Sequence, residues 1–523
     1  MVGVVSLPEK VLKKLNAYIL PEWKVCFLAA IAVGLIAHLY KITNWLPNWD
    51  SLVFRYDPQN MVGLGRWFLP VVCSISSFYD LPFLNGIIAV LFHALGAVCI
   101  CRILNVREKI TAFLIGAIVV SFPTVTSVMM YNYVADGYSI AFFLSTLAAL
   151  YMIKGKGGYI FSAVLIALSV GIYQAYITVT IMLVLLWLID QIIYRRAEIF
   201  ILLKKSGCML LAGISGMILY SIILKAILAA SSAELLDYQG INSTVSLSNI
   251  DLVSSLYVIK ETFISCFFDF SKGISIYVIL NVFVLLFTFF YYIQYIVKNK
   301  IYRKPVELFA VIAAGVALIF GAGALAFINP SVDYHNLMLM GYSVFYIFFL
   351  VLYERGTDEN EKHICIKRWV VLATASVIII NQIVIANVSY HKAQIAYEKS
   401  YGVLVRIADR IEQTPDAENC DKILVLGALD NSQNYSSNLP PDITGITDGY
   451  IIRADDETVK QSVLTAALRD YCEMDYEFVS GEVKKMLAQS EKVEAMGEWP
   501  AKDSVAAVDG TIVIKLGPEG EYR

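Results

Sequence analysis

The chain has 523 residues, of which 58% are hydrophobic and 16% are charged, and its mean hydropathy is +0.65. Soluble globular proteins carry about 25% charged residues, so this composition excludes a soluble protein. The net charge of −3 argues against the broad basic surface of a nucleic-acid-binding protein. Because the acidic excess lies after residue 396, we expect an integral membrane protein with a polar C-terminal domain of about 130 residues.

Long apolar runs dominate the first 390 residues. A helix needs about 20 apolar residues to cross a bilayer, and in lipid only helices or closed barrels satisfy every backbone group. The first run follows a basic segment without a small-residue cleavage site, which favours a retained span over a signal peptide. About eleven runs are predicted to span the membrane: residues 25–43, 83–104, 110–130, 137–153, 158–173, 175–193, 207–230, 274–297, 306–328, 336–353 and 369–389.

The loops between these runs fall into a basic class and a class with few basic residues. Lysines and arginines concentrate in residues 10–14, 102–109, 154–156, 195–205, 298–304 and 355–368. Because basic loops stay in the cytoplasm, this pattern predicts a cytoplasmic N-terminus. The segment after the first span and the domain after Val388 are then predicted to lie outside the cytoplasm.

The polar C-terminal part contains both helical and strand patterns. An amphipathic helix is predicted from His391, with Ile395, Val403, Ile407 and Ile411 roughly on one face. A strand is predicted at 422–427, a helix near 457–469 and a closing strand at 511–516. The expected fold is therefore an all-α polytopic membrane domain (1–390) followed by a small extracytoplasmic α/β domain (391–523). A disulfide between Cys420 and Cys472 remains open at this stage.

A segment of about 40 residues separates the first two predicted spans, far more than a turn requires. It contains "NWDSLVFRYDPQNMVGLGRW", from Asn48 to Trp67, in which the chemically capable groups are Asp50, Arg55, Asp57 and Arg66. A carboxylate can accept a proton from a hydroxyl nucleophile, and an arginine can bind a phosphate with two parallel hydrogen bonds. Alternatively, Asp57 before Pro58 starts a helix and Asp50 is a solvated or capping residue. Arg66 and, even more so, Arg55 are then interfacial anchors.

Further candidates come from the other loops predicted to lie outside. Asp136 is either a helix cap or a substrate ligand, and Asp80 before Leu81-Pro82 is expected to start a helix. Tyr173 and Gln174 could hydrogen-bond sugar hydroxyls or simply end a span. His335 could bind a phosphate or be an ordinary interfacial residue. The sequence shows no metal-ligand constellation, because it has no clustered histidines, no Asp-x-Asp and no usable cysteine pair.

Several motifs carry a family resemblance. "NWDS", "GLGRWFLP", "LPFLNG", "YNYVADGYSIAFFLS" and "SVGIYQAYITV" resemble, in order and spacing, the bacterial glucosyltransferase type II family of the GT-C class. Members of this family modify O-antigens and related surface glycans. The resemblance covers most of residues 40–400 and leaves the C-terminal domain unexplained.

The resemblance implies a function and roles for several residues. A hexose, expected to be glucose, would move with inversion from a polyprenyl-phosphate donor to a surface polysaccharide, outside the bacterial cytoplasmic membrane. Asp50 takes the place of the family's acidic residue and Arg66 that of its Gly-Arg-Trp arginine, while Trp49 and Tyr56 could stack on sugars. Other members often carry paired acids, which leaves a second catalytic role for Asp57 open. No cofactor is expected; the class includes both metal-free enzymes and enzymes that depend on a divalent metal. The expected partners include a flippase and a donor synthase.

A flippase or transporter of lipid-linked sugars is the main alternative. Transporters place charged groups near the bilayer midplane and often contain repeated halves. The predicted spans look nearly free of charged residues, Lys225 being the exception, and no repeated halves are visible. These observations favour an enzyme.

Overall fold

The computed structural model describes residues 7–56, 61–195, 197–231, 233–236, 251–270, 273–355, 362–427, 429, 443, 445 and 457–517. Asp57 therefore lies outside the described residues. The chain folds as two compact units. The first, called the membrane unit here, contains the chain up to Thr43 and Asp57–Asn387; the second, the C-terminal unit, contains Asn44–Tyr56, Val388–Ser437 and Gly445–Arg523, and residues 438–444 belong to the first.

The membrane unit is built from helices. In chain order these are α1 Leu7–Tyr18, α2 Pro21–Thr43, α4 Leu69–Cys73, α5 Pro82–Leu104, α6 Lys109–Ser121, α7 Pro123–Met130, α8 Ala135–Lys154, α9 Gly157–Ile172, α10 Ile177–Ile193, α11 Ile199–Ser231, α12 Leu252–Phe267, α13 Ile276–Lys298, α14 Pro305–Gly321, α15 Ser343–Arg355 and the first half of α16 Lys362–Gln413. The short helix α3, Trp49–Val53, belongs to the C-terminal unit.

The described residues contain seven helices that are long and apolar enough to cross a membrane, or eight if α6 and α7 form one bent span. The predicted eleven spans are thus not confirmed, although each predicted run does contain a helix. Helices α9, α14 and α15 have 16, 17 and 13 residues. At 1.5 Å per residue they reach only about 20–26 Å, short of the hydrocarbon thickness of about 30 Å. The protein is a multi-pass membrane protein, and within the described residues these three short helices account for the difference from the predicted number of spans.

Small residues allow the first helices of the membrane unit to pack closely. A Cβ atom on Gly116 of α6 would lie 2.3 Å from the carbonyl oxygen of Cys26 in α2. A Cβ atom on Gly96 of α5 would lie 2.4 Å from the ring of Phe142 in α8. Lipid supplies no hydrophobic force between helices. Helices in a membrane are therefore stabilised by the van der Waals contacts that small residues allow when two backbones come close.

Proline breaks the third predicted run into α6 and α7. Pro123 is the first residue of α7 and Phe122 adopts an extended conformation before it. Proline has no N–H for the helical hydrogen bond and excludes the helical conformation at the preceding residue. The two helices consequently meet at a bend of 40°.

The C-terminal unit contains a four-stranded sheet in the order β2-β1-β4-β3. The strands are β1 Lys422–Leu426, β2 Glu477–Phe478, β3 Val505–Val508 and β4 Thr511–Lys515, and the helices are the second half of α16, α17 Glu457–Cys472, α18 Gly481–Ala488 and α19 Glu491–Glu494. Strand β1 pairs in parallel with β2 and β4, and β3 pairs antiparallel with β4. The predicted strands at 422–427 and 511–516 and the helix near 457–469 all form; β2 and β3 were not predicted.

In the main hydrophobic core of the C-terminal unit, Ile407 and Ile411 of α16 pack against Ile423, Ile512 and residues of α17, as the amphipathic pattern predicted. The alternate strand residues, such as Leu424 and Val513, belong to a second, smaller cluster. Cys420 and Cys472 are both free thiols in this structure.

The segment Asn44–Tyr56 packs with this unit although it directly follows the first span. Leu52 of α3 is fully buried in the same core, and Trp49 packs against it.

Candidate active site

Arg66 lies on a tight loop of the membrane unit. A 3₁₀ turn, Val62–Leu64, ends at Gly65, whose φ of 76° is left-handed. A Cβ atom at Gly65 would lie 2.4 Å from the hydroxyl of Tyr220, so both the backbone and the available space require glycine here.

Three hydrogen bonds to the backbone of this loop fix it to the surrounding residues. The Gln174 amide donates to the Leu64 carbonyl at 2.9 Å, and the Tyr220 hydroxyl donates to the Gly65 carbonyl at 3.0 Å. The Phe68 N–H donates to the carbonyl of Gly171 at 2.8 Å. Gln174, which the sequence suggested as a sugar ligand, thus uses its amide to hold the arginine loop.

The guanidinium of Arg66 lies on two stacked tyrosines. Its Nη1 donates to the hydroxyl of Tyr138 at 2.9 Å, and its Cζ lies 4.9 Å from the centroid of the Tyr173 ring. The rings of Tyr138 and Tyr173 are 4.4 Å apart and nearly parallel, and both residues are buried. A cation above aromatic faces is stabilised, so the structure holds Arg66 in a defined orientation rather than as a mobile interfacial anchor.

His335 and Asp333 lie within electrostatic range of this arginine. Burial lowers the pKa of His335; the nearby Asp333 carboxylate opposes this shift, and Arg66 adds to it. Nδ1 of His335 is buried and has no hydrogen-bond partner among the described residues. Asp333 itself is exposed. A largely neutral imidazole beside a fixed guanidinium can donate a hydrogen bond to an anion without adding a second full charge.

Asp136 is fully buried next to the same loop region. Its carboxylate accepts hydrogen bonds from the Ser76 hydroxyl and the Gly137 N–H, each at 2.8 Å, and lies 3.7 Å from the Cys73 sulfur. It is not the helix cap that the sequence suggested, because Val134 occupies that position. Asp136 therefore ties the end of α4, which follows the arginine loop, to the start of α8.

A buried polar cluster in the same unit was missed by the sequence analysis. Lys41 and Asp80 attract each other, and Asp80 also accepts a hydrogen bond from Asn132. The Asn85 amide donates to the Asn132 carbonyl at 2.9 Å. The expectation that Asp80 caps a helix is wrong, because Leu81 precedes Pro82 at the start of α5.

Asp50 lies on α3 in the C-terminal unit. Asn48 is the N-cap of this helix and accepts a hydrogen bond from the Ser51 N–H at 2.9 Å. The capping role that the sequence left open for Asp50 is therefore filled by Asn48. Trp49 is half-buried against the core, and Tyr56 is 61% exposed. Arg66, Tyr173 and His335 thus come together in the membrane unit, whereas Asp50, Trp49 and Tyr56 belong to the other unit.

Tyr138 and Asp333 were not predicted as site residues, although both lie close in the sequence to predicted candidates. Tyr138 lies in the motif "YNYVADGYSIAFFLS", two residues after Asp136, and Asp333 lies in "SVDYHN", two residues before His335. Their proximity to Arg66 depends on contacts over more than 70 residues, which no local pattern encodes. Within the described residues, no group of three or more His, Cys, Asp or Glu residues is placed to hold a metal ion.

Apolar helices and a fixed arginine within an aromatic cluster define a multi-pass membrane protein with one candidate anion site. The family described as Glucosyl transferase GtrII matches residues 39–348, which are 310 of the 523 residues. The chain belongs to this family, and it is a membrane glycosyltransferase. The match includes Asp50, the Arg66 loop and His335 and ends before the second half of α16. No match was found among curated proteins or among solved structures.

Proposed function

We propose that the protein transfers glucose from a polyprenyl-phosphate donor to a cell-surface polysaccharide, on the outer face of the cytoplasmic membrane. The observation that carries this proposal is the Arg66 guanidinium, fixed on Tyr138 and Tyr173 beside His335, in a chain of a glucosyltransferase family. A bilayer holds the polyprenyl tail, so the reacting phosphate must be bound by groups of the membrane unit. Arg66 and His335 supply two such donors.

In the proposed reaction an acceptor hydroxyl attacks the anomeric carbon of the donor sugar. The new C–O bond forms as the bond to the phosphate oxygen breaks, and the bonding electrons leave with the phosphate, which inverts the anomeric configuration. Arg66 stabilises the negative charge that develops on the phosphate. Asp50 takes the hydroxyl proton as general base. Because Asp50 and Arg66 belong to different units, their roles are tested by separate variants.

Two predicted spans contain buried charged residues, Lys41 in α2 and Asp190 in α10, which bears on the alternative of a flippase. The expectation that the spans are nearly free of charged residues is therefore wrong. Asp190 pairs with Arg355 at 2.8 Å and with Arg195 at 3.1 Å. Lys41 and Asp190 both lie within one turn of a helix end, whereas transporters use charges near the midplane. The enzyme remains the better-supported function.

The test is transfer by the purified full-length protein in lipid nanodiscs, with a panel of radiolabelled polyprenyl-phosphate sugars and purified surface polysaccharide. We expect label from the glucosyl donor to appear in the polysaccharide, and a donor synthase and a flippase to supply that donor in cells. If the lipid-linked sugar moved across the bilayer of liposomes without any sugar transfer, the protein would instead be a flippase. EDTA, followed by Mg²⁺ or Mn²⁺, decides whether a divalent cation takes part. In the same assay, loss of transfer in Asp57→Asn but not in Asp50→Asn would move the base to Asp57.

The proposed orientation has its own test. Single cysteines replacing Glu482 in α18 and Lys300 after α13, both exposed, are treated with a membrane-impermeant maleimide on intact cells. We expect the cysteine at 482 to react and the cysteine at 300 to be protected until the cells are opened. The reverse pattern would place the C-terminal unit in the cytoplasm.

A further inference from the structure

A cluster of aromatic rings lies on the C-terminal unit, centred on Tyr471 of α17. The Trp45 indole N–H donates to the Tyr471 hydroxyl at 2.9 Å. The ring centroids of Tyr401 and Tyr397 lie 5.8 Å and 6.4 Å from that of Tyr471. Tyr397 and Tyr401 are themselves nearly parallel, at an angle of 22°.

An arginine and an aspartate border these rings. The Arg55 guanidinium lies 5.2 Å from the centroid of Trp45, and its Nη1 is 3.4 Å from a carboxylate oxygen of Asp470. We call Trp45, Arg55, Tyr397, Tyr401, Asp470 and Tyr471 the aromatic surface. It joins three stretches of the chain, because Trp45 and Arg55 flank α3, the two tyrosines lie on α16, and the last two residues end α17.

The aromatic surface extends beyond what packing requires. Tyr397 and Tyr471 contact the hydrophobic core of the unit, and the buried Leu52 already anchors α3 there. By contrast, Tyr401 is 41% exposed and the Arg55 side chain is 44% exposed. Large aromatic and charged side chains thus stay accessible on a firmly anchored support.

The chemistry of these groups matches a sugar chain. Aromatic faces pack against the apolar C–H faces of hexoses, while a guanidinium and a carboxylate can exchange hydrogen bonds with ring hydroxyls. The Asp470 carboxylate is paired with two arginines, Arg55 at 3.4 Å and Arg469 at 3.0 Å. The ligand class is therefore set by the accessible aromatic faces, which pack against the C–H faces of a glycan and offer nothing to a free phosphate.

We propose that the aromatic surface binds the acceptor polysaccharide. This inference rests on the proposed function, in which the acceptor is a surface glycan. Trp45 and Arg55 lie within five residues of Asp50 along the chain and in the same unit. The general base has to meet an acceptor hydroxyl, so a glycan site in its own unit serves that step directly. The C-terminal unit, most of which lies beyond the family match, thereby acquires a role in acceptor binding.

Binding is measured with the full-length protein in nanodiscs, without donor, by fluorescence anisotropy of labelled polysaccharide purified from the source cells. Tyr401→Ala should weaken binding about two- to tenfold, the range expected for one aromatic contact, and raise the acceptor KM without changing kcat or the donor KM. Arg55→Ala should also weaken binding, and Tyr401→Phe, which retains the ring, should stay within about twofold of wild type. Tyr302→Ala is the matched control, because Tyr302 is an equally exposed tyrosine (49%) of the membrane unit.

The outcomes separate this inference from the proposed function. Wild-type binding of the polysaccharide without glucose transfer would refute the proposed function and leave the surface standing. Transfer by a wild-type protein whose Tyr401→Ala and Arg55→Ala variants keep normal binding and acceptor KM would refute the surface alone. The surface is likewise refuted if wild type does not bind, if Tyr302→Ala weakens binding equally, or if inorganic phosphate displaces the polysaccharide.

Discussion

Arg66 offers the sharpest test of the candidate active site, because its orientation depends on one measurable contact. Its hydrogen bond to the Tyr138 hydroxyl is 2.9 Å long, and a hydrogen bond of this kind to a charged group contributes about 1.5–3 kcal/mol. The position above Tyr173 adds about 0.5–2 kcal/mol. Arg66→Lys retains the positive charge but loses the planar pair of donors.

From these magnitudes we expect Arg66→Lys to lose about 1–2 kcal/mol of transition-state stabilisation, which is about a 5- to 30-fold fall in kcat/KM. Arg66→Ala also removes the charge and should lose about 10²–10³-fold, as when one donor to a developing oxyanion is deleted. Tyr138→Phe keeps the stacked ring and removes only the hydroxyl, so we expect roughly a tenfold fall.

The assay is transfer of radiolabelled glucose by full-length variants in nanodiscs, analysed as a double-mutant cycle of Arg66→Lys and Tyr138→Phe. Because the two side chains are in contact, their effects should be non-additive by at least about 0.5 kcal/mol. Arg303→Ala is the matched control, since this exposed arginine stacks on Tyr302 at 5.7 Å without belonging to the site. Unchanged kinetics in Arg66→Ala, or strict additivity in the cycle, would refute the reasoning.

Three further predictions use the same preparations. Asp50→Asn should reduce kcat about 10²–10⁴-fold while donor binding and the unfolding temperature barely change; near-normal turnover would exclude Asp50 as the base. Gly65→Ala should destabilise the protein and lower transfer, because the φ of Gly65 is 76° and the Tyr220 hydroxyl blocks the added Cβ. Gly510→Ala is the control: Gly510 has a φ of 74° but open space, so this variant should lose only about 1–2 kcal/mol to backbone strain and keep normal transfer. Equal transfer by the two variants would contradict this prediction. Because the pKa of His335 is lowered in the folded protein, its contribution to stability is lost as the pH falls below about 6.5. The melting temperature of His335→Gln should therefore drop less between pH 7 and pH 5 than that of wild type. An equal drop would show that His335 contributes nothing to the acid sensitivity.

The sequence by itself determined the helical class of the protein and its family. In lipid the backbone of a single apolar run can satisfy its hydrogen bonds internally only as a helix. Each predicted run between residues 25 and 389 contains one. Local patterns also located β1, β4 and α17, since periodicity is a property of neighbouring residues. The motif around Arg66 also predicted a candidate site residue from the sequence, and its role stays a prediction.

Only the tertiary structure decided which side chains meet. Arg66 reaches Tyr138 across 72 residues, and Trp45 reaches Tyr471 across 426 residues. The burial of Leu52 in the main core assigns α3, and with it Asp50, to the C-terminal unit, although this helix follows the first span directly. Hydropathy measures how apolar a segment is, and it cannot tell a full span from the 13-residue helix α15, whose buried faces pack against protein. Such assignments depend on the free energy of long-range packing, which is absent from any local stretch of the chain.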